Sequence, residues 1–166
     1  MGNLATKYKA ILDKAEVEQA EIRKLFERIK KKKPRDLDAQ VHSLHNKTFA
    51  RIDCLDCANC CSTTSPIFRD IDIKRLAKHL KMKENNFISS YLKMDEESDY
   101  VLQKSPCSFL GNDNKCSVYE HRPLACREYP HTDRKNMIQI LGITEKNTLI
   151  CPAVATIIEE LKKGYL

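Results

Sequence analysis

Cys54-Leu55-Asp56-Cys57-Ala58-Asn59-Cys60-Cys61 spells C-x2-C-x2-C-C, and half of the chain's eight cysteines stand in it. Two C-x2-C spacings in series have a direct chemical use. A tight turn brings two thiolates within reach of one metal and leaves backbone N–H groups pointing at sulfur. Random burial of small apolar residues does not cluster four cysteines in this way. Disulfides are disfavoured too, because 8 cysteines in 166 residues are fewer than a disulfide scaffold carries and no secretion signal is visible. Cys60 and Cys61 are adjacent. Read as extended chain, they point to opposite sides and serve different centres, or one of them lies in the core.

Outward from this run, four more cysteines occur where ligands are expected. Cys107 follows Pro106, Cys116 follows the turn Gly111-Asn112-Asp113-Asn114, Cys126 lies in a helical turn, and Cys151 precedes Pro152. The candidate ligands are therefore Cys54, Cys57, Cys60, Cys61, Cys107, Cys116, Cys126 and Cys151. They suffice for two four-thiolate sites, or for one site with spare thiols. His121 and His131 flank Cys126 as secondary candidates. Arg122 and Arg127 bracket it, offering positive charge to thiolates or to an anionic ligand. Tyr119 and Tyr129 are expected to pack around the site.

Composition frames this reading. The chain is 42% hydrophobic and 31% charged, as expected of a globular domain rather than a disordered one. With Gly at 4, it favours helices over a turn-rich β-barrel. No apolar run approaches a membrane span, and no leader segment is visible, so a soluble cytoplasmic protein is expected. Met1-Gly2 with Thr6 matches a loose acylation pattern that chance also produces. The net charge of +6 counts the cysteines as neutral and falls if they bind metal as thiolates. The basic run Lys30 to Lys33 suits a solvated helix end, and the lack of interleaved aromatics argues against nucleic acid as a partner.

The expected fold class is mainly α (α+β), with an N-terminal helical hairpin in residues 1–50 and a cysteine-cluster metal-binding domain in residues 51–166. Leu4, Tyr8, Ile11, Ala15, Ile22, Leu25 and Ile29 predict a helix over 3–33, interrupted in its apolar seam by Glu18 and ended by Pro34. Asp36 is placed to cap a second helix bearing Leu37, Val41, Leu44 and Thr48. This hairpin holds no cysteine and is read as a scaffold or a surface for a protein partner. Further helices are expected over 70–80, 84–92 and 152–163. Strands are expected at 100–102 and 137–141, and a small β-hairpin around Gly111–Asn114.

The combined pattern resembles the CxxCxxCC cysteine-cluster family, the YkgJ-like proteins described as zinc- or iron-chelating. It is carried by the Cys54–Cys61 run, Pro106-Cys107, Cys116, Tyr119, Arg122-Pro123, Cys126-Arg127, Tyr129-Pro130 and Cys151-Pro152. The resemblance spans the chain from Ile52 onward and is silent on the N-terminal hairpin. It implies a metal or iron–sulfur domain with all eight cysteines as ligand candidates. Arg122, Arg127 and Tyr129 are implied as cofactor-side residues without an assigned role. One branch resembles flagellin lysine methylases, which are iron–sulfur proteins. That favours an iron–sulfur cluster, of the 4Fe-4S kind, with zinc as the alternative. Three functions follow as expectations: redox or group-transfer chemistry on a cluster, a zinc-stabilised interaction module, or a metal chaperone. Whether the chain is an enzyme is left open, since it shows no nucleophile–base pair, phosphate loop or HExxH motif.

Overall fold

The computed structural model describes residues 6–165. Gly2 of the acylation pattern, and Asn3 and Leu4 of the first expected helix, lie outside the described residues. The elements are α1 (Thr6–Val17), α2 (Gln19–Lys32), α3 (Leu37–Phe49), α4 (Cys54–Cys57), α5 (Asn59–Thr63), α6 (Asp70–His79), α7 (Glu84–Tyr91), β1 (Leu92–Met94), β2 (Tyr100–Leu102), α8 (Leu124–Glu128), α9 (Leu141–Thr148) and α10 (Pro152–Lys162), with 3-10 turns at Tyr119–His121 and Met137–Ile140. The architecture is mainly α with one short antiparallel hairpin. Among the described residues, its backbone contacts divide it into a central unit, Ala58–Tyr129, and a terminal unit made of residues 6–57 with 130–165.

The terminal unit is helical. Its core joins Ile22, Leu25, Phe26 and Ile29 of α2 to Leu37 and Val41 of α3 and to Val154, Ile157, Ile158 and Leu161 of α10. These residues recur at helical spacing, so each helix buries one stripe. Instead of one helix over 3–33, the chain breaks at Glu18. The Gln19 side-chain amide donates 2.9 Å to the Ala15 carbonyl, the acceptor that the Gln19 backbone N–H would use in an unbroken helix. The same amide donates 3.0 Å to Thr148 Oγ1. Glu18 turns inward to the buried Lys162 ammonium, which Glu159 also meets at 2.6 Å. Pro34 stops α2 as expected, after Lys33 has closed it in the left-handed conformation (φ 49°) with its N–H on the Ile29 carbonyl at 2.8 Å. Asp36 does precede α3, but its carboxylate accepts from the Gln40 side chain at 2.7 Å rather than from a backbone N–H.

The expected strand at 137–141 is helical. Asp38 accepts the N–H groups of Asn136 at 2.7 Å and Met137 at 2.9 Å, capping a 3-10 turn that runs into α9. Met137, Ile140 and Leu141 then enter the core at i, i+3 and i+4.

The central unit packs Ile73, Leu76 and Ala77 of α6 and Phe87 of α7 against Leu92, Leu102, Phe109 and Val118. β1 pairs β2 with Leu92 opposite Leu102. The strand expected at 100–102 is thus present, whereas the hairpin expected at Gly111–Asn114 shrinks to a single bridge, Leu110 to Cys116. The Asp113 carboxylate takes the Lys115 N–H at 3.1 Å, and the Tyr119 N–H turns back to the Cys116 carbonyl at 3.2 Å, so no ladder continues.

Candidate metal centre

The C-x2-C-x2-C-C run folds as two helical turns, α4 and α5, with Ala58 between them in the left-handed region at φ 45°. Asp53 starts the first turn by accepting the Leu55 N–H at 2.8 Å. Ser62, Thr63 and Thr64 close the second by donating their hydroxyls to the carbonyls of Ala58, Asn59 and Cys60. Cys60 and Cys61 are therefore not on extended chain. They are successive helical residues about 100° apart, near enough for a Cys60–Cys61 side-chain hydrogen bond.

The unit boundary falls between Cys57 and Ala58 and sorts the eight sequence candidates into two sets. All eight are thiols rather than disulfides.

The central unit holds Cys60, Cys61, Cys107, Cys116 and Cys126. The Cys107 N–H donates 2.8 Å to the Cys61 carbonyl, and Ser105 Oγ donates 2.7 Å to the Ser62 carbonyl, which ties this loop to α5. Cys107 Sγ accepts the Phe109 N–H at 3.5 Å. Burial pushes the Cys107 thiol up and these N–H groups, with that of Leu110, pull it down. Cys116 is likewise raised by burial and relieved by the Val118 N–H. Cys126, on α8, is pushed up to about 12, by burial first and then by the neighbouring Cys61, Cys107 and Cys116 sulfurs. Cys61 is the exception. The Cys60 hydrogen bond lowers it to about 7 against its own burial, with help from the Arg122 cation. Four sulfurs thus feel one another's charge, and Arg122 favours the thiolate at three of them, Cys61, Cys116 and Cys126.

The terminal unit holds Cys54, Cys57 and Cys151. Cys151 precedes α10, and burial pushes its thiol up to about 12, while the N–H groups of Val154 and Ala153 stabilise its thiolate and the Cys54 and Cys57 sulfurs oppose it.

Among the described residues, no three Cys, His, Asp or Glu side chains already stand closed around a single metal point. The donor chemistry nonetheless fits a thiophilic metal: sulfur throughout, N–H donors aimed at it, and a nearby cation. Thiols raised by burial lose their protons only to something that replaces them, and a bound metal does so.

The His121 ring stacks on His79 with centres 3.9 Å apart, and His131 falls in the terminal unit. Arg127 is exposed on α8, and Tyr129 follows that helix half-buried.

Asp72 was missed from sequence. It is fully buried and accepts Arg75 Nη2 at 2.6 Å, Arg69 Nε at 2.9 Å and the Leu124 N–H at 3.3 Å. Arg75 passes the restraint on to the Arg122 carbonyl at 2.8 Å and the His121 carbonyl at 3.3 Å. This network fixes the segment that leads into Cys126. Arginines three residues to either side of Asp72 are the signal that would have revealed it.

Among the described residues, no helix is long and apolar enough to cross a membrane. No curated protein and no solved structure matches the chain. A family model does match, over residues 53–152, described as CxxCxxCC, "Putative zinc- or iron-chelating domain". That match covers more than half of the sequence and takes in all eight cysteines, so the chain belongs to the CxxCxxCC family of zinc- or iron-chelating domains.

Proposed function

We propose that the central unit holds an iron–sulfur cluster, of the four-iron kind, and that the protein serves redox or group-transfer chemistry. The observation that carries this reading is the all-sulfur set Cys61, Cys107, Cys116 and Cys126, whose members influence one another's ionisation inside one unit. These four residues would bind the cluster. A bound cluster supplies one-electron transfer or an iron site for a substrate atom. The chain's part is to hold the thiolates, exclude water from Cys126 by burial, and set charge through Arg122 and the N–H groups at Cys107 and Cys116. Cys60, hydrogen-bonded to Cys61, orients it. Thiols in excess of one saturated site, at Cys54, Cys57 and Cys151, favour this reading over a purely structural ion.

One observation favours a second reading, a zinc-stabilised module. The N–H groups of Phe109 and Leu110 converge on Cys107, and that of Val118 on Cys116, which is the donor arrangement of a turn gripping a single ion.

The deciding test measures iron, zinc and acid-labile sulfide on anaerobically purified protein, with a visible spectrum. Iron and sulfide in equal amounts with a reducible brown absorbance are expected, and Cys126→Ser should lose both. Colourless protein with stoichiometric zinc and no sulfide, even after reconstitution with iron and sulfide, would replace the cluster by the zinc module.

A further inference from the structure

Tyr8 lies outside the family-matched segment. Its side chain is 2% exposed, and its hydroxyl has no hydrogen-bond partner among the described residues. A buried unpaired hydroxyl costs stability, about 1–3 kcal/mol in mutational series. An acceptor absent from the bare chain, such as a metal-bound thiolate, would satisfy it.

The ion pairs of α1 locate it. Lys14 meets Glu159 at 2.9 Å, and Lys162 meets Glu18. Both the residue order and the nearly constant offset show that α1 and α10 pack side by side and run parallel. Continued back to the start of α1, that register sets Tyr8 level with Pro152 and Ala153, just after Cys151. A second pair, Lys7 with Asp56 at 3.9 Å, places the same end of α1 beside α4, which carries Cys54 and Cys57. All of these residues belong to the terminal unit. Tyr8 therefore stands at the end of the terminal unit that carries Cys54, Cys57 and Cys151.

We propose that Cys54, Cys57 and Cys151 form a three-thiolate metal position of their own, and that the Tyr8 hydroxyl donates a hydrogen bond to one of its sulfurs when metal is bound. This rests on the reading of the chain as a metal-binding domain and gives a second position to the three thiols in excess of the central cluster. Charge explains why a neutral donor suits the place. Three thiolates outweigh a divalent cation by one negative charge, and an O–H donor disperses that excess without adding to it. The thiol protons leave to solvent as metal binds.

Anaerobic titration of the metal-free full chain with cobalt(II), whose thiolate charge-transfer band reports sulfur ligation, tests this. Cys151→Ser should abolish one class of bound cobalt and leave the class that depends on Cys126. Tyr8→Phe should keep the stoichiometry but weaken the Cys151-dependent class about tenfold, as expected for a hydrogen bond to a charged group. It should also move that class's band to longer wavelength, because a sulfur relieved of a hydrogen bond gives up charge more easily. In the metal-free chain, Tyr8→Phe should melt at or above the wild-type temperature, since it removes an unpaired polar group. Wild-type affinity and band position in Tyr8→Phe, with Cys151→Ser still losing its class, would overturn the role of Tyr8 alone. No class lost in Cys151→Ser would overturn the three-thiolate position itself. Equal destabilisation of the metal-free and loaded chains by Tyr8→Phe would reduce Tyr8 to packing.

Discussion

The Arg122 guanidinium lies 3.5 Å from the centre of the Tyr119 ring, and its Nε donates 2.8 Å to the Tyr119 carbonyl. Clamped in this way, the cation favours the ionised form of Cys61, Cys116 and Cys126. Arg122→Gln keeps length and some hydrogen bonding but removes the charge. Metal affinity of the central unit is expected to fall about tenfold, on the order of one thiol pKa step. Chelator competition at fixed pH measures it, and an unchanged constant would show that the cation is ornamental to the site.

Cys61 is expected to react ahead of Cys126 in the metal-free protein. The Cys60 hydrogen bond lowers it to about 7, so above that pH it is chiefly thiolate, whereas Cys126 at about 12 stays protonated. Timed alkylation with peptide mapping should label Cys61 ahead of Cys126 at pH 7, with the Cys61 rate falling about tenfold per pH unit well below its pKa. Cys60→Ala should raise the pH at which labelling begins. Labelling of Cys126 before Cys61 would contradict the assigned geometry.

Asp72 gives the fold an acid limit. Burial raises its pKa, but hydrogen bonds from Arg69 and Arg75 outweigh that and hold it at about 2, below the usual 3.8. A carboxylate depressed in the folded state stabilises above its unfolded pKa, and that stability is lost as pH falls from about 4 toward 2. The loss should approach roughly 2 kcal/mol. Asp72→Asn should destabilise the protein at pH 7 by about 2–4 kcal/mol, because Arg75 is left partly buried without its counter-charge, and should flatten the acid dependence. Urea melts at pH 7 and pH 3 check both.

Lys33 ends α2 in a left-handed conformation that suits glycine better than lysine. It is exposed, so Lys33→Gly removes strain without opening a cavity. The expected gain is about 1 kcal/mol. A thermal melt that rises by a few degrees agrees, and one that falls disproves the strain argument.

Sequence periodicity located α2, α6, α7 and α10 well because each carries its own apolar stripe and its own stop. The break at Glu18 was not legible, since its cause, Lys162, lies 144 residues away. The short apolar run at Met137 reads equally as strand or helix, and the distant Asp38 decides it. The eight thiols were all visible as candidates, but their division was not. Cys54 to Cys57 and Cys57 to Cys60 are equally spaced, yet only the first pair shares a unit. The turn at Ala58, where an ordinary side chain adopts φ 45°, leaves no mark in a spacing rule.

The family-matched segment, residues 53–152, keeps only Met137, Ile140 and Leu141 of the buried residues around which α2, α3 and α10 assemble. A chain trimmed to those limits would expose Cys151 and lose the walls that shelter it. The recognisable signature is thus smaller than the compact unit that shelters Cys151. Anyone transplanting this chelating motif into another host must carry the flanking helices along with it.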